Sequence, residues 1–163
     1  MVDDRVRVNG CAAVFDWCDH AGVTDEEILT RPIGWWLKQA DAGIEAAFNA
    51  CLGTQGFDRR DWQVLTTLAR SSTPRADVVA ALAAFDEPDV LDAVVDELKR
   101  RDLVDESNAV LSLTAAGARE HAALVPLVER VRRQVATALP EHDYLMLVRL
   151  LARLVAGLPQ PSR

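Results

Sequence analysis

The cysteines of this chain are the residues whose type and spacing could carry redox chemistry. Cys11 and Cys18 are seven residues apart, which places both thiols on one face of a helix. A thiol redox sensor needs basic neighbours that activate a thiolate, and His20 is the nearest basic group. We therefore interpret both cysteines as small buried side chains, with the redox pair as the alternative. Cys51 falls on the apolar face of a predicted long helix and is expected in the core.

The histidines do not predict a metal site. His20, His121 and His142 are scattered along the chain, and no spacing suggests that they share a metal ion. No Ser-His-Asp order, phosphate-binding loop or pair of catalytic carboxylates stands out. We therefore expect no metal, no cofactor and no enzymatic activity.

Charge is unevenly distributed along the sequence. The net charge is −7, with 4 basic and 10 acidic residues in 1–58, 7 and 11 in 59–117, and 7 and 4 in 118–163. Six acids and no Lys or Arg lie between Asp86 and Leu98: Asp86, Glu87, Asp89, Asp92, Asp96 and Glu97. Such a segment repels a nucleic-acid backbone, because affinity for phosphates comes from basic side chains.

Composition indicates a mainly α-helical protein of one domain, since half of the residues are hydrophobic and Ala, Leu and Val are abundant. No apolar run approaches the ~18 residues that span a bilayer. The first five residues lack the features of a signal peptide, so we expect a cytoplasmic protein that does not enter the membrane. An odd number of cysteines, three, fits reduced thiols in that compartment.

Apolar spacing and turn residues predict the order of elements. In chain order they are short helices over 11–20 and after Thr24, a long helix from Pro32 to about Leu52, helices over 60–69, 74–82 and 89–101, strands over 102–105 and 109–113 joined by Glu106-Ser107-Asn108, and helices over 115–139 and 140–157. Three short helices separated by tight turns are typical of a helix-turn-helix. The last helix is apolar round most of its circumference between Tyr144 and Val155. It must therefore pack on another subunit or on the helix over 32–52.

Four segments resemble the MarR family of winged helix-turn-helix transcriptional regulators. They are Ile33-Gly34-Trp35-Trp36-Leu37, the run from Gly56 to Leu65, the run from Asp96 to Val104, and Leu113-Thr114-Ala115-Ala116-Gly117. The third corresponds to the exit of the family's recognition helix, usually Leu-x-x-x-Gly-Leu-Val, with Asp102 in place of the glycine. The order of helices, helix-turn-helix, hairpin and two long helices is also that of the family, over about Ile33 to Leu158.

The resemblance implies a mainly α winged helix-turn-helix with a small β-hairpin wing and long terminal dimerisation helices. It divides the chain into an N-terminal extension (1–31), the winged domain (32–158) and a tail (159–163). Within the domain, 59–114 would be the DNA-binding lobe. Residues 32–56 and 115–158 would build an obligate homodimer, in which each subunit offers one recognition helix to the major groove.

The resemblance also assigns candidate site residues. Those at the family's DNA-facing positions are Arg75, Asp89, Val90, Asp92, Ala93, Ser107 and Asn108. Arg59, Arg60 and Arg70 are further candidates for phosphate contact. Family members bind small aromatic ligands near the first helix and the helix after it. Trp35, Trp36 and Trp62 are therefore candidate pocket residues, with core packing as the alternative.

The sequence departs from the family at the surface that would read DNA. The family's recognition helix is rich in Ser, Thr and Arg, whereas this one is acidic, and the wing keeps Glu106-Ser107-Asn108 without a basic residue. Two functions follow. The first is a homodimeric repressor that binds double-stranded DNA and is relieved by a small ligand. The second is a dimer that no longer binds DNA conventionally and captures a ligand or a protein partner.

Overall fold

The computed structural model describes residues 30–159, and the prediction of a mainly α-helical winged fold is confirmed there. The helices are α1 (Ile33–Leu52), α2 (Arg59–Arg70), α3 (Arg75–Leu82), α4 (Pro88–Arg100), α5 (Ala115–Thr137) and α6 (Glu141–Gly157), and the strands are β1 (Thr73–Pro74), β2 (Val104–Ser107) and β3 (Val110–Leu113). A 3₁₀ turn, Gly53–Gln55, follows α1. No helix within 30–159 is long and apolar enough to cross a bilayer. The short helices predicted over 11–20 and after Thr24, with Cys11, Cys18 and His20, lie outside the described residues.

Asp58 is the N-cap residue of α2. Its carboxylate accepts a hydrogen bond from the backbone N–H of Asp61 at 2.8 Å, and the Asp61 carboxylate accepts one from the N–H of Asp58 at 3.0 Å. This reciprocal capping box satisfies two backbone donors that a helix start otherwise leaves unpaired. Burial raises the pKa of the Asp61 carboxyl. The capping box therefore fixes the residue at which α2 begins, shortly after the end of α1.

The hydrophobic core lies inside the lobe that α2, α4, the sheet and the first half of α5 enclose. Its largest fully buried side chains are Leu52, Leu65, Leu91, Leu98, Leu111 and Leu124. Cys51 is buried beside them, as its apolar helix face predicted. On α4, three inward residues (Leu91, Val95 and Leu98) recur at helical spacing and are almost completely buried. Because this face of α4 packs into the core, the opposite face points to solvent.

The hairpin exists, but its turn was predicted wrongly. Strands β2 and β3 pair antiparallel with Ser107 opposite Val110, so Asn108 and Ala109 alone form the connection. Both have left-handed backbone, with φ of 51° and 61°. A two-residue turn of this kind matches the right-handed twist of the strands better than the three-residue loop that we expected. The strand predicted over 102–105 therefore lies two residues before the observed Val104–Ser107, and the strand predicted over 109–113 begins one residue before the observed Val110–Leu113.

A short strand, β1, was also missed. Thr73 pairs with Leu111 and Pro74 with Val110, which makes a three-stranded sheet in the order β1-β3-β2. Two residues are too few to show a strand pattern, and the proline indicated a helix start. Pro74 is the N-cap residue of α3 rather than its first helical residue.

Close packing fixes the start of α5 against the wing. The Thr114 hydroxyl accepts a hydrogen bond from the N–H of Gly117 at 3.0 Å and donates one to the carbonyl of Asp102 at 2.7 Å. A side chain at Gly117 would overlap the carbonyl group of Leu103. These contacts give a physical reason for the Leu-Thr-x-x-Gly motif on which the family resemblance partly rested.

The last helix, α6, packs little of its surface against the other described residues, 30–159. None of its residues is buried, and Leu150 and Val155 are 50% and 61% exposed. Packing on α1 was one of the two environments that its sequence predicted, yet Ile33 and Leu37 of α1 are exposed as well. Large apolar side chains are therefore exposed both at the start of α1 and along α6 among the described residues.

Candidate nucleic-acid interface

Helices α3 and α4 form the helix-turn-helix, and the burial of α4 decides which of its side chains face outward. Asp89, Val90 and Ala93 are exposed, in agreement with their expected position on the outer face, whereas Asp92 is partly buried. At the wing, Ser107 and Asn108 are exposed at the tip. Of the residues at the family's DNA-facing positions, those of α4 other than Asp92 and those of the wing tip are therefore exposed, whereas Arg75 is engaged in contacts within the chain.

The guanidinium of Arg75 is held by three carboxylates. Its Nε lies 2.6 Å from Oδ1 of Asp92, and its Nη1 lies 2.9 Å from Oδ1 of Asp96 and 3.3 Å from Oε2 of Glu106. Its Nη2 also donates to the backbone carbonyl of Asp92 at 3.1 Å. We call these four residues the Arg75 clamp. It joins the first residue of α3 to the middle of α4 and to the wing strand β2.

Electrostatics favour the charged form of every group in the clamp whose pKa shifts. Hydrogen bonds to Asp96 and Asp92 raise the pKa of Arg75. The hydrogen bond from Arg75 lowers the pKa of Asp96, and the hydrogen bond from Lys99, at 2.6 Å, lowers that of Glu106. Bonds between two charged groups are stronger than neutral ones. A DNA phosphate could therefore reach Arg75 only in competition with carboxylates already bound to it.

The clamp explains two acids that the helix dipole does not. Asp92 and Asp96 lie beyond the first turn of α4, where the dipole no longer favours a negative charge. Sequence reasoning placed Asp92 toward DNA and did not assign Asp96, Lys99 or Glu106 to the site. Their spacing carried a usable signal, because carboxylates at i and i+4 share one helix face and can hold one arginine between them.

The two arginines at the start of α2 are turned toward α1 and toward the turn before α4. Arg60 donates to Glu45 at 3.1 Å and to Asp86 at 2.9 Å, and the bond to Asp86 raises the pKa of Arg60. Arg59 pairs with Asp41 at 3.3 Å. Arg60 thus ties α1 to the turn that precedes α4. Neither guanidinium is left unpaired for phosphate.

Most basic residues of the lobe form ion pairs with carboxylates of the same chain. Arg100 pairs with Glu97, and Arg101 lies 3.6 Å from Asp61 and covers the ring of Phe57. Together with Arg59, Arg60, Arg75 and Lys99, six of the seven basic residues in 59–114 therefore contact a carboxylate of the same chain. Arg70, exposed at the end of α2, is the one that forms no ion pair with another residue of 30–159.

The three candidate pocket tryptophans are not brought together. Trp62 is buried in the core and stacks on His121 of α5, with ring centroids 4.8 Å apart. Trp35 and Trp36 contact each other edge to face at the start of α1, and Arg31 covers Trp35. They lie about 24 Å along that helix from its buried end beside Trp62, at 1.5 Å per residue.

The remaining candidates are isolated from one another. The ring of His121 approaches the hydroxyl of Thr66 at 3.2 Å, and burial lowers its pKa. His142 lies at the exposed start of α6 beside Asp143. Within the described part of the chain, no group of three or more His, Cys, Asp or Glu residues could hold a metal ion.

Comparison with solved structures identifies the architecture. A probable transcriptional regulator from Pseudomonas aeruginosa aligns with a TM-score of 0.67 and 27% identity, over 77% of this chain and 98% of the other. BpsR of Bordetella bronchiseptica, whose DNA binding is regulated by 6-hydroxynicotinic acid, aligns at 0.71 and 22%, over 78% and 96%. A MarR family protein of Mycobacterium tuberculosis in complex with DNA aligns at 0.61 and 22%, over 76% and 98%. This chain has the MarR fold. No protein-family model matches the sequence, and no curated protein matches it.

Asp102 stands where the MarR pattern usually has glycine, and its backbone conformation explains why glycine is usual there. Its backbone is left-handed, with φ of 57°, directly after the recognition helix. Glycine adopts this conformation without strain, which is a physical reason for the glycine usual at this position of the MarR pattern. Aspartate tolerates it better than most residues do. The MarR-type helix exit is therefore retained here although its usual residue is absent.

Proposed function

We propose that this protein is a transcriptional regulator of the MarR type, that it works as a homodimer, and that a small ligand controls its affinity for DNA. The observation that carries the proposal is the winged helix-turn-helix lobe set on helices whose outer apolar faces are exposed in the described part of the chain, residues 30–159. Similarity to regulators with the same fold supports the regulatory role.

The homodimer accounts for the exposed ends of the domain. The exposed large apolar residues of α6 and the residue after it are Leu145, Met146, Leu147, Val148, Leu150, Val155 and Leu158. A continuous surface of this kind is unfavourable in water and is typical of a subunit interface. We propose that α6, with the start of α1, packs on a second copy, so that 32–56 and 115–158 act as dimerisation helices around the lobe at 59–114.

Contact with DNA would use the exposed face of α4, the wing tip at Ser107 and Asn108, and Arg70, which forms no ion pair with another residue of 30–159. Phosphate contacts by Arg59, Arg60 or Arg75 would require the opening of ion pairs. Because each phosphate contact adds to the salt dependence of binding, few available cations predict weak binding that depends little on salt.

A ligand could act where α1 meets the lobe. A small cavity of about 220 Å³ lies between α1, α2 and the turn before α4, and Glu45, Arg59, Arg60, Phe85 and Asp86 are among its lining residues. A molecule there would compete for the pairs that connect α1 to the recognition helix. The tryptophans predicted for a ligand pocket do not line this cavity. Trp35 and Trp36 lie in the proposed dimer region, where they would be buried by the second copy.

The experiment that tests the proposed function is binding of the purified dimer to its own upstream DNA and to random duplex, at several salt concentrations. Preferential binding of the upstream region is the expected result. No binding at low salt, by a protein shown to be folded and dimeric, would reject the DNA-binding function.

A second candidate function is a dimer that acts through a protein partner without DNA. The specific observation in its favour is that six of the seven cations of the lobe are neutralised internally. The same DNA experiment separates the two, because this candidate predicts no affinity for either duplex.

A further inference from the structure

An apolar groove runs along the helix-turn-helix, on the side that the MarR resemblance assigns to DNA. Its apolar lining comes from α3, the following turn, the start of α4 and the wing turn: Ala76, Val79, Ala80, Ala81, Ala83, Ala84, Pro88 and Ala109. The groove is open to solvent and has a volume of about 1300 Å³. We call it the α3 groove. Its small side chains leave room for another chain to approach the backbone of α3 closely.

Acidic residues border the α3 groove. Asp86, Glu87 and Asp92 contribute to its wall, and residues 75–97 contain seven acids against a single basic residue, Arg75. Arg75 also lines the groove, but its guanidinium is already paired with Asp92 and Asp96 in the clamp. Glu87 lines the groove, and Asp89 follows it two residues later at the start of α4, outside the lining. Both are exposed and form no ion pair with another residue of 30–159. The border therefore carries negative charge that the described chain leaves uncompensated.

We propose that the α3 groove binds a cationic, amphipathic segment of a partner protein. Alanines and Val79 would receive the apolar side chains of the segment, and Glu87 and Asp89 would pair with its Lys or Arg residues. An amphipathic helix in an apolar groove is a common mode of peptide recognition. Charge complementarity selects this occupant over a nucleic acid, since the border repels phosphates and attracts ammonium and guanidinium groups.

The proposal rests on the helix-turn-helix geometry and does not require that the protein bind DNA. If the dimer does bind DNA, the segment would occupy the surface that must enter the major groove. Binding of the segment and binding of DNA would then exclude each other. A partner that carries such a segment would release the regulator from its operator.

The test uses fluorescence polarisation with the full-length protein and a labelled helical peptide of about five turns. The peptide has Leu at the i, i+3, i+4 and i+7 positions and Lys on the opposite face. A second peptide with Glu in place of every Lys controls for apolar binding. We expect the lysine peptide to bind at physiological salt and the glutamate peptide to bind at least about tenfold more weakly.

Matched variants locate the binding site. Ala80→Arg fills the groove and Glu87→Lys reverses a charge on its border; both positions are exposed, and circular dichroism verifies the fold. Each should weaken binding of the lysine peptide by about tenfold or more. Glu129→Lys, at an exposed position of α5 that does not line the groove, changes net charge by the same amount as Glu87→Lys and should leave binding unchanged.

Several outcomes would overturn the proposal. They are equal loss of affinity in Glu129→Lys and Glu87→Lys, equal binding of the two peptides, and no binding at about 1 mM peptide, the limit of a weak complex. Tighter binding of random duplex DNA than of the lysine peptide at physiological salt would also overturn it, because an acidic border should repel phosphates. Peptide binding without any DNA binding would reject the DNA-binding function and leave this proposal standing. DNA binding without peptide binding would do the reverse.

Discussion

The Nε atom of Arg75 lies 2.6 Å from Oδ1 of Asp92, so the first residue of α3 is bonded to the outer side of the recognition helix. Asp96, one turn further along α4, holds the same guanidinium at 2.9 Å. The acids that make this recognition helix unusual thus serve as internal partners of the arginine that sequence resemblance assigned to DNA. Removal of these acids should therefore change the affinity for DNA more than removal of an acid that has no arginine partner.

Opening the clamp should strengthen DNA binding. In Asp92→Asn/Asp96→Asn, Arg75 loses both α4 carboxylates and becomes available to a phosphate. We expect affinity for duplex DNA to rise roughly tenfold at low salt, and the slope of log K against log salt to steepen by about one. The control is Asp77→Asn/Asp105→Asn, which removes two exposed acids that form no ion pair within 30–159. An equal gain in the control would mean that only net charge matters.

The proposed dimer should depend on α6. Leu150→Glu places a charge on a helix whose exposed apolar face we assign to the interface, and burial of an unpaired carboxylate there is unfavourable. Analytical ultracentrifugation should show a dimer for the parent chain and a shift to monomer for the variant. Ala80→Glu, an apolar-to-charged change in the lobe, should remain dimeric. A dimer unaffected by Leu150→Glu would place the interface elsewhere.

Glycine at the wing turn should stabilise the protein. Ala109 has φ of 61°, a conformation in which the Cβ atom is strained, so Ala109→Gly should raise the free energy of unfolding by about 1 kcal/mol. The matched control is Ala80→Gly, within a helix, which should lower it by about 1 kcal/mol. Urea denaturation of the three proteins measures both effects. A loss of stability in Ala109→Gly would contradict the turn geometry.

Alanine at the start of α5 should have the opposite effect. Gly117→Ala forces a Cβ atom into the backbone carbonyl of Leu103, and we expect a loss of about 2 kcal/mol or more. Gly43 also lies in a helix, the middle of α1, but a Cβ atom there meets nothing within 4 Å. Gly43→Ala should therefore stabilise the protein by about 0.5–1 kcal/mol, the difference in helix propensity. If both variants lose stability equally, close approach at Gly117 is not the cause.

Stability should fall as the pH decreases past the ordinary pKa of histidine. Burial lowers the pKa of His121, so between about pH 6.5 and its folded value the unfolded chain binds a proton that the native chain does not. The contribution of neutral His121 is therefore present above that window and is lost as pH falls through it. His121→Phe keeps a ring against Trp62 and should flatten the dependence, whereas His142→Gln at an exposed position should preserve it. Denaturation curves at a series of pH values provide the measurement.

The acids of the clamp add a separate, lower window. The pKa values of Asp96 and Glu106 are lowered, so they contribute stability above their unfolded pKa of about 4, and that stability is lost as pH falls further. Asp96→Asn should reduce the loss in this acidic window alone. Persistence of the full loss in that variant would assign acid sensitivity to other carboxylates.

Local chemistry in the sequence was sufficient to determine the helices. The helices predicted over 60–69 and 89–101 match Arg59–Arg70 and Pro88–Arg100 to within one residue at each end, and the helix caps at Asp58 and Thr114 account for the starts of α2 and α5. These features depend on residues within a few positions of one another, so sequence pattern reveals them. The Leu-Thr-x-x-Gly segment indicated the wing-to-helix connection for the same reason.

Only the tertiary structure decided what the charges do. Arg75 pairs with Asp92, Asp96 and Glu106, which are 17 to 31 positions away in the sequence. Arg60, on α2, pairs with Glu45 of α1 and with Asp86 of the turn before α4. Sequence showed an acidic helix and scattered arginines, but ion pairs between elements depend on how those elements pack and on which side chains come within 4 Å. Backbone register decided the wing turn at Asn108 and Ala109 in the same way, because strand pairing and twist, rather than residue type alone, select a two-residue turn.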